Sequence, residues 1–257
     1  GTDANGCTGT ATAAITVAQA PIGVTASASP ATICSGSTSV LVATGNVPTL
    51  ARAYTLTPTS GTYTPLSGGT TVSTVKADDA ISGALPIGFS FNFAGGSYTN
   101  VYASSNGFLS FNASATSTAT NNLTGPSTTL LPLVAPLWDD LDGTSAGTAS
   151  YLTTGTSPNR VFTFEWLNWE WNYQANAAVI SFQVKLYESN GQVEFIYRQD
   201  AAAYNAGTTG GGSIGLAGTT SGNYLSLTNT TAAPGTSTTS ETSNLTTKPA
   251  TGQVYAF

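Results

Sequence analysis

Five aspartates hold most of the chemical potential of this 257-residue chain. Asp139-Asp140-Leu141-Asp142-Gly143 sets three carboxylates ahead of a glycine, and Asp78-Asp79 adds two more elsewhere. Ca²⁺ takes hard oxygen ligands on a loop that can wrap around it, and extracellular Ca²⁺ fills even weak sites. Asp139, Asp140 and Asp142 are therefore candidate metal ligands, although their spacing is not that of an EF-hand. The same acids can instead cap a strand end by accepting backbone N–H groups of adjoining loops. Both readings stay open at this level.

A second cluster combines Glu165 and Glu170 with Trp166, Trp169, Trp171 and Tyr173. Sugar cleavage needs two carboxylates across a cleft, beside aromatic platforms. A lectin would use the aromatics without the chemistry, and a subunit contact would bury the same row. Against the first two, Phe162, Phe164 and Trp166 alternate as the inward side of a core strand does. Trp169, Trp171 and Tyr173 alternate again after a two-residue break. Core or interface packing is the simpler reading. Cys7 and Cys34 are the only cysteines, so one intrachain disulfide is available between them.

Composition removes several function classes. There is no His, which excludes Ser-His-Asp and Cys-His catalysis and ordinary His-bearing zinc or haem sites. The six basic residues are scattered singly, so nucleic acid finds no electrostatic footprint. No apolar run approaches the roughly 20 residues of a membrane-spanning helix. Net charge is −6, with 45 Thr, 28 Ser and 28 Gly, and 10% of the residues are aromatic. Abundant Thr, Val, Tyr and Phe with scarce helix formers points to β structure around a real core. The Gly-rich run 207–215 reads as a turn rather than a phosphate loop.

Strands are expected at 11–20, 22–28 and 38–44 around Cys34. Phe89, Phe91 and Phe93 share one face of another strand. Asn106-Gly107 predicts a hairpin, 112–129 an exposed loop, and Leu130–Trp138 a central strand ending in the acidic cluster. The clearest hairpin covers 178–198. Ile180, Phe182, Val184 and Leu186 point inward, with Val193, Phe195 and Tyr197 on the return. A two-residue type I′ turn at Asn190-Gly191 would pair Leu186 with Phe195 and Val184 with Tyr197. Gln183, Lys185, Glu194 and Arg198 then face solvent. Further strands follow at 214–216 and 224–227, an irregular surface loop at 229–247, and a closing strand near Val254. The fold class is all-β, an antiparallel β-sandwich with an N-terminal strand segment.

Several phrases look familiar together: GTYTPL at 61–66, LPIGFSFNF at 85–93, YTNVYASSNGFLSF at 98–111, APLWDDLDG at 135–143, PNRVFTFEW at 158–166 and ISFQVKLYESNGQVEFIY at 180–197. From about Ala53 to Phe257 the chain resembles a β-sandwich module of giant secreted surface proteins of the Bacteroidota. It is also similar to nidogen-like extracellular domains, in which an acidic strand end precedes such a hairpin. Residues 1–17 resemble the closing strands of an Ig-like repeat, and 29–45 the opening strands of the next. The resemblance thus divides the chain into 1–50, a partial Ig-like segment serving as linker or donated strand, and 51–257, the sandwich. In such repeats each Cys bonds within its own repeat, which leaves the pairing of Cys7 and Cys34 open.

The resemblance implies a piece of a longer, type IX-secreted adhesin at the cell surface, with no catalytic residues carried over. Its partners would be further copies or neighbouring modules of the same polypeptide. A Ca²⁺-dependent, carbohydrate-binding module acting on surface glycans is the alternative.

Overall fold

A computed structural model describes residues 25–29, 31–32, 34–44, 48–204 and 210–257. The chain divides into two units, Gly1–Pro48 and Thr49–Phe257. In the first, β1 (Thr25–Ser29) and β2 (Val40–Thr44) form an antiparallel pair in which Ser27 lies opposite Val42. Cys34 sits half-buried in the connection between them. The strand expected at 11–20 and Cys7 lie outside the described residues, and with Cys7 so does the disulfide.

The second unit is a β-sandwich of two antiparallel sheets packed face to face. One sheet has the order β3 (Thr57–Ser60), β17 (Gln253–Ala256), β13 (Val193–Gln199), β12 (Ile180–Tyr187), β11 (Val161–Trp171), β10 (Thr148–Thr154) and β4 (Thr70–Thr71). The short β9 (Leu141–Asp142) also pairs with β11. The other sheet runs β16 (Thr236–Ser237), β15 (Tyr224–Leu227), β14 (Ser213–Ala217), β8 (Leu133–Trp138), β7 (Leu109–Ser110), β6 (Gly96–Ala103) and β5 (Leu85–Phe93). Among the described residues, no helix is long and apolar enough to cross a membrane.

Period-two patterning builds the core. Leu85, Ile87, Phe89, Phe91 and Phe93 are buried, while the residues between them are exposed. The rings of Phe91 and Phe93 stack with Phe111. Facing them, Trp166 stacks on Phe182 and meets Phe164 edge-on. Each such aromatic removed from water contributes about 2–3 kcal/mol. The outer edge of β5 is covered: Thr153 Oγ1 donates to Ile87 O at 2.7 Å and Arg160 Nη1 to Gly88 O at 2.6 Å. Two otherwise open edge carbonyls are thereby closed.

Three sequence expectations change here. First, the 178–198 hairpin pairs Leu186 with Val193, Val184 with Phe195 and Phe182 with Tyr197. Its turn is wider than two residues, with Tyr187 N donating to Gln192 O and Gly191 N to Tyr187 O. Gly191 has a positive φ of 68° while Asn190 does not, so the type I′ geometry is absent. Glu188 is held instead by Arg160, whose Nε donates to Glu188 Oε2 at 2.8 Å. A shift of two residues keeps every side chain on its expected face. Second, 112–129 is no mere surface loop. Leu123 from it joins Leu130, Leu131, Phe108 and Trp138 in a second core cluster, so β8 is buried on both faces. Third, Gln183 is buried, because residues 63–66 lie across the outer face of β11 and β12.

Candidate functional site

The acidic segment lies where β8 turns into β9, against the loop that joins β6 to β7. Gly107 has φ 77°, and a Cβ there would sit 1.9 Å from Leu137 O. Only glycine lets this loop press against β8. Asn106 then spans two acidic stretches: its Oδ1 accepts Leu141 N at 2.9 Å, and its Nδ2 donates to Asp79 Oδ1 at 2.7 Å. Ser105 ties down residues 78–80. Its N–H donates to Ala80 O, and its hydroxyl accepts Ala80 N at 2.9 Å and donates to Asp78 O.

Three indoles hold this arrangement from the core. Trp166 Nε1 donates to Ser104 O at 2.9 Å, Trp169 Nε1 to Ser105 O at 2.9 Å, and Trp171 Nε1 to Asp139 Oδ2 at 2.8 Å. The bulge in β11 makes this possible. Between Trp166 and Trp169 the register shifts, and Asn168 adopts φ 57°. The extra residue keeps Trp166, Trp169 and Trp171 on one face despite the odd spacing. All three are fully buried, so none presents an indole to a sugar or another subunit, whereas Tyr173 is exposed.

The five aspartates divide by role. Asp139 is buried, accepting Asp140 N on Oδ1 and Trp171 on Oδ2. Asp142 caps the next turn, taking Thr144 N at 2.8 Å and Thr144 Oγ1 at 2.7 Å. These two behave as the capping reading expects. Asp140 differs. Its carboxylate meets those of Asp78 and Asp79, with one ligand oxygen from each within 4.8 Å of the others. Burial pushes its pKa up to about 6, and the charges of Asp78, Asp79, Asp139 and Asp142 add to the rise. Asp78 is raised too, by burial and then by Asp79 and Asp142. The sequence displays the aspartates but not this grouping, and Asn106-Gly107 reads there as a turn alone.

Glu165 and Glu170 do not face one another across a cleft. Glu165 is buried on the outer face of β11, where Oε1 accepts Tyr63 OH at 2.8 Å and Gln183 Nε2 at 2.7 Å. Leu66 N donates to both of its oxygens, at 3.2 and 3.1 Å. The Arg198 guanidinium lies over the Tyr63 ring at 5.4 Å. Glu165 therefore clamps the 63–66 segment onto the sheet. Glu170, also buried, accepts Ser145 N at 3.0 Å and pairs in register with Asp142. Both carboxylates are engaged in holding loops.

A family model described as NIDO related matches residues 53–257. The chain belongs to the NIDO-related family. The match covers the whole sandwich and includes the acidic strand end and the hairpin that carry the similarity to nidogen-like domains. NIDO-related domains are all-β, of a non-enzymatic kind, and typical of extracellular proteins. No curated protein and no solved structure matches the chain.

Proposed function

We propose that this NIDO-related chain is a non-enzymatic structural or adhesive module outside the cell, working by assembly with further modules rather than by turnover. One observation carries the reading. The side chains that a catalytic or lectin site would need are committed to the fold: Glu165 and Glu170 hold loops, and Trp166, Trp169 and Trp171 bond backbone or Asp139 from inside the core. A sandwich so tied together is a rigid building block.

The position of β3 at the end of its sheet among the described strands supports assembly. Thr57–Ser60 is the terminal strand of its sheet and pairs on one side with β17. An extended segment from a second copy or a neighbouring module can add there through main-chain hydrogen bonds. Such a head-to-tail contact does not close on itself, and it builds a filament at the cell surface. Sedimentation velocity over a wide concentration range tests this. Growth into a ladder of oligomers is expected, and a monomer at every concentration would refute self-assembly. A substrate panel with turnover sensitive to Glu165→Gln would overturn the non-enzymatic reading.

A further inference from the structure

We propose that Asp78, Asp79 and Asp140 bind one divalent cation of the Ca²⁺ class, which pins residues 76–80 to the β8–β9 turn. The ligand set differs from the contiguous Asp139, Asp140 and Asp142, because Asp139 and Asp142 have their oxygens engaged by Trp171 and Thr144. Oxygens bound to one Ca²⁺ at 2.3–2.6 Å lie within about 5 Å of each other. The three carboxylates meet that spacing, lying within 4.8 Å.

A second observation points to a ligand. Asp140 is only 8% exposed, yet its carboxylate makes no hydrogen bond or ion pair among the described residues. Buried carboxylates elsewhere in this chain are well supplied, Glu165 taking three donors. The ion pairs formed among the described residues are Arg160–Glu188, Lys185–Glu194 and Arg198–Asp200, and none includes these acids. Among the described residues, only the Asn106 amide, bonded to Asp79, donates to the three side chains. A carboxylate on a buried residue, facing two others, is costly to keep ionised without a cation between them. Asp78 and Asp79 are exposed and leave an entry path, while Asn106 and Ser105 hold the ligand loops in place.

The test is Tb³⁺ luminescence on the chelator-treated protein, with Ca²⁺ as competitor. Trp171 bonds the residue next to Asp140 and would sensitise the emission. Emission saturating at a single equivalent and displaced by Ca²⁺ is expected. Melting temperature should rise by about 5 °C or more in Ca²⁺ at a hundred times its dissociation constant. Asp140→Asn should weaken the affinity by about tenfold or more, which at the same Ca²⁺ concentration cuts the thermal shift to about half or less. Asp78→Asn, at an exposed side chain, carries the same comparison should the Asp140 variant fail to fold. Neither emission nor a thermal shift in the unsubstituted protein, or undiminished affinity in Asp78→Asn, would overturn the site. The assembly reading rests on other residues and would survive that failure.

Discussion

Replacing Glu165 with Ala removes the acceptor of three donors at once. Tyr63 OH, 2.8 Å away, lies in a segment packed over the sheet, and Gln183 Nε2, at 2.7 Å, belongs to a buried side chain. A buried donor left without a partner costs about 1–3 kcal/mol. Gln183 Nε2 keeps its second bond to Thr64 O at 2.8 Å, and the half-buried Leu66 N can turn to water, so the full sum is not realised. The expected loss is about 2–4 kcal/mol, equivalent to a fall in melting temperature of about 8 °C for a unit of this size. Tyr63→Phe, which leaves the carboxylate its other donors, should cost about 1 kcal/mol. Glu165→Gln keeps the shape but turns an NH₂ group toward one of the donors, and it should fall between the two. Guanidinium unfolding followed by near-UV circular dichroism measures all three. A Glu165→Ala loss within about 0.5 kcal/mol, the size of an ordinary surface change, would refute the clamp.

Two other predictions concern the second core and an ion pair. Leu123→Ala should destabilise the protein by about 2–4 kcal/mol in the same unfolding assay, because Leu123 is buried over β8; a surface-sized effect would return 112–129 to the solvent. The Glu188 pKa is lowered to about 2, first by the Arg160 side-chain hydrogen bond. Its folded value lies below its unfolded one, so the stabilisation is complete above the ordinary carboxylate range and is lost as pH falls through about 2. Carboxyl NMR titration should give that midpoint, and Arg160→Gln should return it toward the ordinary value. An unchanged midpoint in the variant would contradict the pairing.

Local patterns were legible in the sequence where one short stretch of chain decided them. Phe89, Phe91 and Phe93 announce an inward strand face by period alone. The break between Trp166 and Trp169 marks the bulge, since only an extra residue keeps both series inward. The faces of the 178–198 hairpin followed from alternation, but its register did not. Arg160, some 28 positions before Glu188, draws that residue into the turn. Burial of Gln183 depends on residues 63–66 crossing the outer sheet face from far along the chain, and that of Leu123 on its own loop folding back over β8 beside Ala217 and Tyr224. The meeting of Asp140 with Asp78 and Asp79 has the same origin: the β6–β7 loop brings the two stretches together through Asn106, and no local spacing encodes that.

Assembly is tested most directly by electron microscopy of the native protein, before any denaturant or chelator is applied. Fibres with a repeat of about 40–50 Å, the width of one sandwich of this length, are predicted. Single globular particles under the same conditions would contradict it.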